Sequence, residues 1–204
     1  MEEFKDIILP VLAAFIICLF AGPFIIKAMQ KLKFGQQVRD DGPKSHLSKQ
    51  NTPTMGGLIM LVGIIVPALI FRLSGMAMIA CLVAFAYGIV GFLDDFIKIV
   101  KKRSLGLKAY QKIIGQFGIA LITALYAYYS PEIGSSIYLP FSGGEFNLGW
   151  AYIPVAVFVI IALVNASNLT DGLDGLDSGA SLIIMGAFTI IITYLSAGAF
   201  AAGD

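Results

Sequence analysis

Residues 76–95 read MAMIACLVAFAYGIVGFLDD, an apolar run closed by the adjacent pair Asp94 and Asp95 and followed at 96–108 by the basic segment FIKIVKKRSLGLK. A bilayer core of roughly 30 Å asks about 20 apolar residues of a helix that spans it, and this run meets that demand. A carboxylate taken to mid-bilayer costs about 2.5–3.5 kcal/mol on insertion scales, so acids near membrane depth generally serve a water-filled site. A lone ion pair with Lys98, four residues beyond Asp94, would need only one of the two carboxylates and would leave one over.

The rest of the chain repeats the apolar pattern. Hydrophobic residues make up 58% and charged residues 13% of the 204, with a mean hydropathy of +0.86. Soluble domains hold roughly 45–50% apolar and about 25% charged residues, so this is an integral membrane protein. There are six candidate spans: Ile7 to Met29, Met55 to Phe71, Met76 to Leu93, Ile113 to Tyr129, Ala151 to Val164 and Gly179 to Ala199. The expected fold is all-α, one transmembrane helix bundle over 1–204. The fifth span is short, but Asn165-Ala166-Ser167 can prolong its helix toward a polar site. Cys18 and Cys81 sit within apolar runs as small hydrophobes, so the redox compartment is not legible.

Charge placement orients the bundle. With six spans in alternation, Lys27, Lys31, Lys33, Arg39, Lys44, Lys49, Lys98, Lys101, Lys102, Arg103, Lys108 and Lys112 share one side, and only Lys5 and Arg72 fall on the other. The positive-inside rule makes the first side cytoplasmic and the N-terminus external. MEEFKD lacks a basic leader, so the first run reads as a retained helix. Between the fourth and fifth spans, SSIYLPFSGGEFNLGW reads as a small outer hairpin turning at Ser142-Gly143-Gly144. An interfacial loop anchored by Tyr138, Phe141, Phe146 and Trp150 explains it equally well.

Three segments on the cytoplasmic side carry chemistry. GPKSHLSKQNTPTMGG, 42–57, is most simply a basic juxtamembrane loop, although Lys49 and Thr54 suit phosphate oxygens; His46 alone reads as a loop hydrogen-bonder. In the second, Asp94 and Asp95 face Lys98 if the helix continues past the apolar run, while 101–103 reads as a topology signal. The third is NASNLTDGLDGLDSG, 165–179, where Asp171, Asp174 and Asp177 recur every third residue among glycines. It is not an EF-hand loop, because Leu182 stands where the twelfth-position glutamate is required. Asp177 reads as the N-cap of the last helix. Asn168, Asp171 and Asp174 offer the hard oxygens that Mg²⁺ prefers when it keeps waters and phosphate in its shell. Carboxylates, lysines and such a site together fit phosphoryl transfer onto a lipid substrate.

SHLSKQNTPTMGG, GFLDDFIKIVKKRSLGL and NLTDGLDGLDSG, in this order along essentially the whole chain, resemble the phospho-N-acetylmuramoyl-pentapeptide transferase family of the polyprenyl-phosphate N-acetylhexosamine-1-phosphate transferases. TPTMGG after GPKSH is closer to that branch than to the branches for simpler amino sugars. The resemblance implies a multi-pass enzyme of the bacterial cytoplasmic membrane. It would move phospho-MurNAc-pentapeptide from UDP-MurNAc-pentapeptide to undecaprenyl phosphate, with Mg²⁺, giving lipid I and UMP for peptidoglycan synthesis. Asp94 and Asp95 match the catalytic pair that deprotonates the lipid phosphate or assists its attack, with Asp95 as nucleophile the alternative. Asn168 and Asp171 match the metal and pyrophosphate loop, and Lys49, Thr54, Lys98, Lys112 and Asp174 match substrate-binding positions. Nucleic acid is not an expected partner; a homodimer is left open.

Family members carry about ten helices and, after the sixth, a further metal-binding aspartate and a cytoplasmic His-rich loop; these 204 residues hold six candidate spans and neither of those two features. The expectation is therefore an N-terminal portion that is inactive alone. Three alternatives stand beside it: another polyprenyl-phosphate sugar-1-phosphate transferase, an ion-coupled transporter, and a non-catalytic membrane scaffold.

Overall fold

The computed structural model describes residues 2–32, 54–73, 75–101, 105–139, 144–171 and 175–202. They form two compact units, Met1–Gly134 and Ser135–Asp204. The first holds α1 (Glu2–Lys31), α2 (Gly57–Ile70), α3 (Gly75–Val100) and α4 (Ala109–Tyr129); the second holds β1 (Ser136–Tyr138), β2 (Glu145–Asn147), α5 (Tyr152–Thr170) and α6 (Leu176–Ala202). The helical membrane bundle expected from the sequence is the fold observed.

Among the described residues, four segments are both long and apolar enough to cross a membrane: Ile8–Lys31, Gly75–Val100, Gly149–Thr170 and Leu176–Tyr194. The other two expected spans fall short for different reasons. The 14 residues of α2 reach only about 21 Å at the helical rise. The 21 residues of α4 are long enough, but Gln111, Lys112 and Gln116 dilute their apolar character. The protein is a multi-pass membrane protein on the four long helices alone.

Neighbouring helices of the first unit pack through small residues. Without a hydrophobic drive between helices in lipid, close backbone approach supplies the packing energy. Gly63 of α2 lies against Cys18 of α1, with no space for a Cβ, and the Cys18 thiol donates to the Ile59 carbonyl at 3.6 Å. Gly88 of α3 takes Leu61 of α2, where a Cβ would sit 2.6 Å from the leucine methyl. On α4, Gln116, Ala120, Ala124 and Ala127 form one buried stripe, and the Tyr87 hydroxyl of α3 donates to the Gln116 carbonyl at 3.1 Å. Most large apolar side chains point outward, including Phe15, Phe24 and Ile122, as a lipid solvent permits.

α2 ends without the glycine that generally marks such a stop. Leu73 N–H bonds the Ala68 carbonyl at 2.9 Å and Arg72 N–H bonds that of Leu69 at 3.3 Å, with Arg72 at φ +51. This is a Schellman closure with arginine in the left-handed position.

In the second unit, β1 and β2 pair antiparallel with Ile137 opposite Phe146, so the hairpin reading holds; Ser142 and Gly143 of its turn lie outside the described residues. Asn147 ties the hairpin to the short turn that opens α5: its Oδ1 accepts from Ser135 Oγ at 2.9 Å and from Gly149 N–H at 2.7 Å. α5 extends through Asn165-Ala166-Ser167 to Thr170, as the short fifth run implied. α6 begins at Leu176, after Gly175 at φ +80. Asp177 is therefore not an N-cap. It lies inside the first turn, where the helix dipole favours a carboxylate, and it accepts a hydrogen bond from Ser167 Oγ at 2.9 Å.

Candidate active site

α3 continues past its apolar run to Val100, so its last turns carry Asp94, Asp95 and Lys98 on one face. Lys98 Nζ lies 2.7 Å from Asp94 Oδ2 and 2.8 Å from Asp95 Oδ1. The expectation of one left-over carboxylate fails here: positions three and four before a lysine both lie within its reach, and a single ammonium spans both. The three side chains are 15% (Asp94), 29% (Asp95) and 34% (Lys98) exposed. The cluster keeps one net negative charge at a helix end already lined by carbonyl oxygens.

The chain then returns onto Asp94. Leu107 N–H donates to Asp94 Oδ1 at 2.9 Å, and the preceding Gly106 is buried against the same aspartate. α4 starts directly afterwards, its entry fixed by Lys108 N–H donating to Gln111 Oε1 at 3.0 Å. Sequence reasoning passed over Gly106 and Leu107. A glycine in a basic loop just before a helix was the available signal, but only the fold identifies the residue it makes room for.

The remaining expected site residues divide by unit. In the first, Thr54 precedes α2; its Oγ1 is buried and has no hydrogen-bond partner among the described residues. Next to it, buried Met55 adopts φ +68, a left-handed conformation that costs a non-glycine residue about 1–2 kcal/mol. Lys112 lies in the first turn of α4. In the second unit, Asn168 and Asp171 stand one turn apart at the exposed C-terminal end of α5. Lys49 and Asp174 lie outside the described residues.

Asn168 and Asp171 offer one amide and one carboxylate oxygen on the same helix end. Such a pair fits Mg²⁺, which is commonly bound by one or two carboxylates while waters and phosphate complete its shell. It does not make a closed cage: among the described residues no three His, Cys, Asp or Glu side chains converge on a metal-sized space.

Residues 76–203 match the profile described as Glycosyl transferase family 4, well over half of the chain. The chain belongs to glycosyl transferase family 4. N-terminal to that match, residues 49–61 match phospho-N-acetylmuramoyl-pentapeptide-transferase signature 1, a stretch that includes Thr54 and the start of α2. The family's extent takes in both the Asp94–Lys98 cluster and the Asn168–Asp171 helix end. Curated relatives carry the name phospho-N-acetylmuramoyl-pentapeptide-transferase. The one from Clostridioides difficile is 48% identical over 186 residues, 91% of this chain and 58% of the relative. That from Caldicellulosiruptor bescii is 49% identical over 192 residues, 94% and 59% of the two chains. The Thermoanaerobacter sp. protein is 46% identical over 202 residues, covering 97% of this chain. The chain thus spans 58–63% of the length of these curated relatives.

Proposed function

We propose that the chain carries part of the active site of a phospho-MurNAc-pentapeptide transferase, acting on UDP-MurNAc-pentapeptide and undecaprenyl phosphate at the cytoplasmic face of a bacterial membrane. The observation that carries the reading is the Asp94–Asp95–Lys98 cluster at the polar end of a membrane helix, in a chain of this family. A lipid phosphate held at headgroup depth reaches such a helix end without leaving the bilayer. In the proposed reaction, a lipid phosphate oxygen forms a bond to the β-phosphorus of the nucleotide sugar. The bond from that phosphorus to the bridging oxygen breaks, and UMP departs with the electron pair.

Asp95 is the better placed of the pair to take the proton of the lipid phosphate. Its Oδ1 meets Lys98, and its second oxygen has no partner among the described residues. Asp94 has both oxygens engaged, one by Leu107 N–H and one by Lys98. Lys98, Lys112 and Lys49 supply positive charge for phosphate oxygens, and Thr54 a hydroxyl donor. Mg²⁺, held by Asn168 and Asp171 with Asp174 nearby in sequence, would neutralise pyrophosphate charge. Product lipid I would feed peptidoglycan synthesis, and through it cell shape and division.

The test is UMP release from UDP-MurNAc-pentapeptide with undecaprenyl phosphate and Mg²⁺, by a protein of the relatives' length carrying these 204 residues. Asp95→Asn and Asp171→Asn should each lower kcat by at least about a hundredfold, the scale for losing a group that acts in the transition state. Wild-type turnover in both variants would refute the assignment. Release of a different nucleoside monophosphate, or activity only with a simpler UDP-amino sugar, would favour another transferase of the superfamily.

A further inference from the structure

The loop between α3 and α4 does more than join two helices. Gly106 is buried, and a Cβ built on it would lie 2.5 Å from the Asp94 backbone carbonyl oxygen and 2.7 Å from Asp94 Cγ. A flexible side chain could swing away from such a contact, but a helical carbonyl cannot. Any residue larger than glycine must therefore lift 105–107 off α3, and the Leu107 N–H bond at 2.9 Å would go with it. With that bond in place, one oxygen of Asp94 is set by the loop backbone and the other by Lys98.

An amide donor of this kind is fixed by the main chain. A rotatable side-chain donor would leave the carboxylate two or three rotamers, whereas the main-chain amide leaves it one. The Lys98 ammonium, pinned by Asp94, is in turn held 2.8 Å from Asp95. The orientation of the whole cluster thus depends on an approach that only glycine allows.

We propose that Gly106 and the Leu107 amide are positioning residues for Asp94: a backbone clamp that sets the Asp94–Lys98–Asp95 geometry for phosphoryl transfer. The inference rests on the transferase reading for its consequence, but the clamp itself can be read without turnover. In Asp94→Ala, the Leu107 amide should exchange its hydrogen about tenfold faster than in the wild-type chain, the scale of one lost hydrogen bond. In the transferase assay, Gly106→Ala should lower kcat about 10- to 100-fold, as small misplacements of reacting groups do, while KM for the nucleotide sugar changes by less than about threefold.

The same substitution placed in an Asp94→Ala background should add less than about threefold, because no side-chain oxygen is left for the Leu107 amide to hold. Unchanged Leu107 exchange in Asp94→Ala overturns the clamp. Full kcat in Gly106→Ala, or an equal loss in both backgrounds, overturns its positioning role. If no transfer is seen with wild type while Leu107 exchange responds as expected, the transferase reading falls and the clamp remains. Leu107→Pro, which keeps Gly106 and deletes the amide donor to Asp94, serves as the second variant should Gly106→Ala fail to fold.

Discussion

Replacing Lys98 by methionine removes the cation that, among the described residues, is held against both aspartates, while keeping a similar apolar stem. Exposed helical ion pairs contribute about 0.3–0.5 kcal/mol each. Removing one partner from a fully buried pair costs about 3–5 kcal/mol, because the other charge is left uncompensated. At 15–34% exposure this cluster lies between those limits, and two adjacent carboxylates would be left facing each other at a carbonyl-lined helix end. The expected cost is about 1–2 kcal/mol, near the lower limit because water still screens all three groups. For a chain of this length that lowers Tm by about 2–8 °C, readable by thermal unfolding in detergent micelles. The same substitution in an Asp94→Asn/Asp95→Asn background should cost less than about 0.5 kcal/mol, since no repulsion is left to expose. A Lys98→Met Tm at or above wild type, or an equal loss in both backgrounds, refutes the bridging role assigned to Lys98.

The packing gives two further expected outcomes. Gly63→Ala forces a Cβ onto the Cys18 thiol between α1 and α2 and should destabilise by about 1–3 kcal/mol in the same unfolding assay; adding Cys18→Ala should recover most of that loss, and no recovery would refute the contact. Thr54→Val replaces a buried hydroxyl without a partner among the described residues and should raise stability by up to about 1 kcal/mol. If Thr54 also binds substrate, KM for the nucleotide sugar should rise in that variant, whereas lower stability would mean the hydroxyl is satisfied in the folded protein.

The expected site residues differ in how far they were legible. Asp94, Asp95 and Lys98 could be placed together from spacing alone, since helical periodicity fixes which residues three and four apart share a face. Their stoichiometry could not, because which rotamers an ammonium adopts between two carboxylates depends on burial and on neighbouring elements. Asp177 shows the opposite error: a residue suited to an N-cap lies one position inside its helix, where Ser167, ten residues earlier in the chain, takes its carboxylate.

By itself, the sequence determined the membrane class, the approximate position of each long helix and the carboxylate-lysine face, and it left the outer hairpin open against an interfacial loop until strand pairing settled it. The first three depend on local quantities: apolar length against bilayer thickness and period along a helix. Only the tertiary structure decided that Gly106 closes onto Asp94, that Gly63 admits Cys18, and that α2 stops at an arginine in a left-handed turn. Those features are contacts between segments or backbone states that no single stretch encodes. A glycine in a sequence marks freedom, and only the neighbour packed against it decides what that freedom is for.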